Sequence, residues 1–260
     1  ASASTITVYG ARPSMRDVLF VAVSQSGGSP DLVESTEVAR AGGALTVAVT
    51  NNPASPLAAA AEWHVDIRAG AERAVAATKT YTSELLALHQ LLLGTDAAAV
   101  PEACAGTLAL ADRAAEAAAS YVGVDRLVTV GRGYSYATAR EGALKLMETS
   151  YLAAQAFSGA DLLHGPLAMV GPDVPVLAVT TPGRGSAALA PVLDRLAERH
   201  ASVLRIGPAD GLPVVLDGVD ESLAPVVEIL PLQQLAWRLA LERGGDPDAP
   251  RGLSKVTETW

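Results

Sequence analysis

Lysine is nearly missing from this chain: Lys79, Lys145 and Lys255 stand against 16 arginines. The two cations are not interchangeable, so a lysine kept on such a background marks a place where a primary amine is needed. Cysteine is scarcer still. Cys104 stands alone, which excludes an intrachain disulfide framework and any multi-cysteine metal site. It reads as a small buried or half-buried thiol. Net basic charge is absent: the formal charge is -9, so the basic footprint of a nucleic-acid binder is not there. No apolar run reaches the ~18 residues of a membrane helix. The opening ASASTITVYG lacks the charged start and apolar core of a secretory signal. These absences point away from nucleic acid and membrane, toward a cytoplasmic protein acting on small molecules. Aromatics are only 4% of residues. A core built from Ala, Val and Leu therefore packs helices closely on sheets.

What is present alternates. Strand-like apolar runs fall at 18–24, 44–50, 64–67, 126–131, 174–180, 202–207 and 225–231. Helix-like stretches fall at 30–42, 55–61, 77–94, 101–120, 135–153, 186–200 and 231–243. Several strands are apolar on both faces, which suits a parallel sheet covered on both sides. The alternation predicts an α/β fold with doubly wound parallel sheets.

The chain also repeats itself. An ungapped shift of 156 residues lays VLFVAVSQSGGSPDLVESTEVARAGGALTVAVT on VPVLAVTTPGRGSAALAPVLDRLAERHASVLRI. Each copy reads as strand, glycine-containing turn, helix and strand. Two similar halves follow, 1–100 and 101–260, with an Ala-rich helix over 101–120 between them. The second half opens with a strand, a Gly-Arg-Gly turn and a helix over 126–150 that have no counterpart in the first. Internal symmetry predicts a first half shortened at its amino end by roughly 50–70 residues.

Four segments carry candidate chemistry. In SQSGGSPD, Ser24, Gln25, Ser26, Gly27 and Ser29 follow a strand and lead into a helix at Pro30. Ser29 is an expected N-cap, with Pro at the first helical position. Glycine lets backbone approach a ligand, and a helix N-terminus favours an anion. The alternative is an ordinary strand-to-helix turn. In ATAREGALKLMETSY, Glu141, Lys145 and Glu148 share one helical face. That face is either a solvated, salt-bridged surface or the wall of a cleft, where a carboxylate beside a lysine moves a proton between neighbouring carbons. His164 sits in the Gly/Pro-bounded segment SGADLLHGPLAMV, as a structural residue or as a proton-transfer group near neutral pH. Lys255 lies on the Gly/Pro-rich tail DPDAPRGLSKVTETW. That tail either frays or carries an amine able to form an imine with a carbonyl.

Together, SQSGGSPD, AERAVAATKTYTSELL, GRGYSYATAREGALKLMETSY, FSGADLLHGPLAMV and PRGLSKVT resemble the sugar isomerase (SIS) family. The resemblance is closest to the double-SIS isomerase part of glucosamine–fructose-6-phosphate aminotransferase and to stand-alone aminosugar-phosphate deaminases and isomerases. It implies two flavodoxin-like halves and a phosphorylated sugar as substrate, with no cofactor and no metal. It implies that Ser24, Gln25, Ser26, Gly27 and Ser29 hold the phosphate. Glu148 would be the base between C1 and C2, assisted by Lys145. His164 would open the sugar ring, reaching the site from the neighbouring subunit of a homodimer. Lys255 would meet the open-chain carbonyl, and the stretch around Glu72, Val75 and Ala77 would line the sugar pocket. Ala77 stands where the family commonly has serine, and Met147 where it often has lysine. The family's early Gly-Thr-Ser turn has no match. The expected activity is isomerisation of a hexose 6-phosphate, with glucosamine-6-phosphate deamination foremost. The alternatives are a non-catalytic phosphosugar sensor, a synthase subunit fed ammonia by a separate glutaminase, or a fructosamine-6-phosphate deglycase.

Overall fold

Alternating apolar strands and helices give two compact units, one up to Leu93 and one over Gly94–Arg251. The structure is a computed structural model, and it describes residues 3–253. In the first unit a short helix α1 (Ala3–Thr7) precedes strand β1 (Leu19–Ser24) and helix α2 (Pro30–Ala41). Strand β2 (Leu45–Thr50), helix α3 (Pro56–Ala60), strand β3 (Trp63–Asp66) and helix α4 (Lys79–Leu92) follow. The three strands are parallel in the order β1-β2-β3. β2 is central, and Thr46–Thr50 is buried throughout. Ala22 and Ala48 form the sheet side of a core closed by Leu57 and Ala61. Alanine at these positions leaves room for close helix–sheet contact.

The second unit begins with α5 (Val100–Leu108) and α6 (Asp112–Ala119). Then come β4 (Arg126–Gly131), α7 (Ser135–Ser150), β5 (Ala153–Ser158) and α8 (Gly159–Leu163). β6 (Val176–Val179), α9 (Arg184–Glu198), β7 (Val203–Gly207), β8 (Leu212–Pro213) and α10 (Ala224–Glu242) complete it. The sheet is parallel, in the order β5-β4-β6-β7-β8. This is the flavodoxin-like order, and the order in which successive strands are added reverses between β4 and β6. Val128, Val130, Val176, Ala178, Leu189 and Leu196 pack its core. The repeat is physical: β1-α2-β2 and β6-α9-β7 are the same unit at the same offset.

Three expectations need correction. Residues 225–231 are not a strand but the start of α10, a 19-residue helix with Pro231 inside it. Val226, Val227, Ile229, Leu230 and Leu232 are all buried. A helix buried on every side loses its 3.6-residue signature and reads like a buried strand. The single helix expected over 101–120 is two. Between them the bonds of Leu110 and Ala111 run to residues three back, a tighter turn that alanine-rich sequence does not announce. The helix expected to run to 153 stops at Ser150, with Tyr151 left-handed at φ 56°. Residues 153–158 then pair with β4 as an edge strand. Ala, Gln and Ser give that strand little propensity of its own.

Candidate functional site

In the first unit, β1 delivers Ser24 to the carboxyl edge of the sheet. Ser24 Oγ accepts from Gly27 N–H at 3.1 Å and Ser26 Oγ from Gly28 N–H at 3.3 Å. Gly27 has φ +63°, and a Cβ on it would sit 2.3 Å from Ser55 Oγ. The next turn locks against this one: Asn51 N–H donates to Gln25 O at 3.1 Å and Leu57 N–H to Gly27 O at 3.0 Å. Ser29 is at the N-cap of α2, but its hydroxyl makes no capping bond. The turn is thus fixed by its own hydroxyls and by its neighbour. Gly28 and Pro30 also border a cavity of about 390 Å³, whose other walls include Asp31, Glu34 and Glu37 and none of Ser24, Ser26 and Ser29. Hydroxyls ordered at the start of a 12-residue helix suit an anion. Val75 and Ala77 lie half-buried in irregular chain before α4. Glu72 caps that helix, its Oε2 accepting from Thr78 N–H, Thr80 N–H and Thr80 Oγ1 at 3.2, 3.0 and 2.8 Å.

In the second unit, α7 gathers Glu141, Lys145 and Glu148. Lys145 Nζ lies 2.5 Å from Glu148 Oε2 and 3.4 Å from Glu141 Oε1. Lys145 is 5% exposed, so this face is interior and not a solvated surface. Burial raises the Glu141 carboxyl above its ordinary range, against the lowering pull of Lys145, and the Glu148 charge adds to the rise. One ammonium serving two carboxylates leaves a negative charge in low dielectric, which suits proton transfer. His164 is brought to neither group. It sits exposed at the end of α8, its ring making no hydrogen bond to the described residues. Lys255 lies outside the described residues. Among those residues, no group of His, Cys, Asp and Glu could hold a metal ion. None of their helices is long and apolar enough to cross a membrane.

The SIS domain family matches this chain over residues 2–94 and again over 120–215. The chain belongs to the SIS family. Each SIS match falls on one of the two halves of the repeat. Among curated relatives, glutamine–fructose-6-phosphate aminotransferase (isomerizing) of Gloeobacter violaceus is 34% identical over 95% of this chain and 45% of its own length. The same enzyme of Thermococcus kodakarensis is 35% identical over 91% of this chain and 43% of its own. The SIS pair therefore spans less than half the length of these relatives. Among solved structures, the C-terminal domain of glucosamine-fructose-6-phosphate aminotransferase from Francisella tularensis superposes with TM-score 0.78. It shares 27% identity over 89% of this chain and 72% of that one. Glucosamine-6-phosphate deaminase from Thermotoga maritima shares the fold, with TM-score 0.82, 21% identity and coverage of 99% and 80%.

The second SIS unit shows why its own strand-to-helix turns are not equivalent to SQSGGSPD. At the β4/β6 reversal the turns 131–133 and 180–185 touch: a Cβ on Gly185 would lie 2.6 Å from Arg132 O. Gly185 N–H donates to Glu221 Oε1 at 2.9 Å. Beneath, Glu228 is 0% exposed. It accepts from Ser135 Oγ at 2.9 Å, from Thr138 Oγ1 at 2.8 Å and from Thr181 Oγ1. The chain's own carboxylates occupy the place where a doubly wound unit usually presents its ligand crevice. Sequence reading missed Glu228 because it lay in the run assigned as a strand. A lone carboxylate in an apolar stretch was the available signal, since buried charge must be bonded.

Proposed function

We propose that this chain is a phosphosugar isomerase acting on a hexose 6-phosphate, with deamination of glucosamine 6-phosphate as its reaction. The observation that carries this reading is the partly buried contact of Glu148 with Lys145, in a chain with two SIS units. Ser24, Gln25, Ser26, Gly27 and Ser29 hold the phosphate, and Val75 and Ala77 line the sugar. With the ring open, Glu148 takes the proton from C2 and returns it to C1. Lys145 holds that carboxylate in place. The aldehyde with its C2 amine becomes a C2 imine with a C1 hydroxyl. Water adds to the imine, ammonia leaves, and fructose 6-phosphate remains. His164 serves ring opening; its exposure on α8 fits a residue offered to a second copy, so the working form is a homodimer. Lys255 meets the carbonyl of the open chain. The relatives named for fructose 6-phosphate and glucosamine 6-phosphate support this substrate class.

The test measures ammonia and fructose 6-phosphate released from glucosamine 6-phosphate. Glu148→Gln should lower kcat by ~10²–10⁴, the usual worth of a general base, while the affinity for the sugar phosphate stays near wild type. A wild-type chain that binds hexose 6-phosphate and turns over none of a panel of aminosugar, ketose and fructosamine 6-phosphates would instead be a sensor.

A further inference from the structure

The strand-to-helix turn after β6 already holds an anion, and that anion belongs to the chain itself. Gly183 lies 156 residues after Gly27, at the same point of the repeated unit. From it starts α9, a helix of 15 residues. The N–H of its second residue, Gly185, donates to Glu221 Oε1 at 2.9 Å. A carboxylate in that place meets the positive end of the helix dipole. It also satisfies a donor that the helix leaves open. A phosphate bound to a doubly wound unit makes the same kind of contact.

The fit is built from both sides. Glu221 opens a short helical turn, Glu221–Leu223, and Asp220 caps that turn by accepting from Ser222 N–H at 2.9 Å. Leu223 is buried and leads directly into α10. The carboxylate is therefore presented from an anchored turn. Opposite it, a Cβ on Gly183 would stand 2.5 Å from Glu221 Oε1 and 2.6 Å from Glu221 Cδ. A side chain at 183 and the carboxylate cannot share that place. The charge is felt beneath as well, where it adds to the burial that raises the Glu228 carboxyl. The helix end is open to solvent: Gly183 and Arg184 are exposed. Arg184, the first residue of α9, brings a further positive charge to that end.

We propose that Glu221 is a resident stand-in for a phosphate: it closes an anion site at the start of α9 that otherwise takes a phosphomonoester, and so limits the chain to one phosphorylated ligand, held by the first unit. The closure stands on the contacts of Glu221. Only the count of one rests on the phosphate reading of SQSGGSPD.

The experiment follows isotope-labelled glycine amides by NMR in the full chain while inorganic phosphate is added. Gly27 and Gly28 report on the first unit, Gly183 and Gly185 on the second. In wild type, phosphate should shift the first pair only. In Glu221→Ala both pairs should shift. Phosphate should bind at Gly185 about tenfold or more tighter than in wild type, the scale of a like charge removed from the same place. Glycine amides far from residue 221 should keep their wild-type positions, which shows that the fold is intact. Glu221→Ser vacates the same space and should respond as the alanine chain does. A Gly185 amide that ignores phosphate in both variants overturns the proposal. A Gly185 amide that responds equally in wild type overturns it too. A first pair that never shifts removes the phosphate reading of SQSGGSPD, and the closure is then decided by the second pair alone.

Discussion

Single residues carry more of this molecule than their number suggests. Gly27 has a left-handed φ and no room for a Cβ against Ser55. Gly27→Ala should therefore cost about 2–4 kcal/mol, from backbone strain and overpacking together, and weaken sugar-phosphate binding; chemical denaturation and calorimetry measure the two. Glu228 makes the opposite kind of demand. Burial pushes its carboxyl up, and the bonds from Thr181, Thr138 and Ser135 only partly offset that. Its folded pKa lies above the unfolded one, so the native state holds the extra proton. Stability contributed by that proton is present at low pH and lost as pH rises from about 4.5 through the raised value. Glu141 shifts the same way. Glu228→Gln should narrow the fall in melting temperature between pH 5 and pH 8. An unchanged pH profile would count against a buried, titrating Glu228.

At the scale of elements, the sequence was legible wherever period and punctuation agreed. β1, α2, β2, β6, α9 and β7 follow from apolar runs, glycine turns and a proline at the first turn of α2. What escaped was set by tertiary surroundings. The first half of α10, 224–232, is buried on all sides, and no local pattern separates such a stretch from a core strand. β5 has alanine and glutamine where strands prefer branched side chains, and exists because β4 offers it an edge. The site divides in the same way. Ser24 to Ser29 and the Glu141–Lys145–Glu148 face were visible as spacing. The commitment of Glu72 to the start of α4 was not, because irregular chain must fold back to bring it there, and the burial of Glu228 was not, because its partners Ser135, Thr138 and Thr181 are distant in sequence.

At the scale of the molecule, the homodimer proposed here makes a mixing prediction. If His164 acts in the neighbouring subunit, Glu148→Gln and His164→Asn chains are each inactive alone. Mixed by reversible dissociation, they should restore roughly a quarter of wild-type activity, since half the dimers are mixed and each has one complete site. Light scattering should show the dimer throughout. A fully active monomer would remove this prediction.

The two carboxylates seated in the second unit make the repeat an experiment already assembled. Ser24 in the first copy and Thr180 in the second stand at the same point of the same unit, 156 residues apart. Thr180 donates to Ile206 O at 3.3 Å and serves the scaffold. Among the described residues, the Ser24 hydroxyl bonds only its own turn. Alanine placed at each in turn separates the loss of a hydroxyl as such from the loss of a hydroxyl that meets a ligand. Each copy of the fold is the other's control, within one chain and at one concentration.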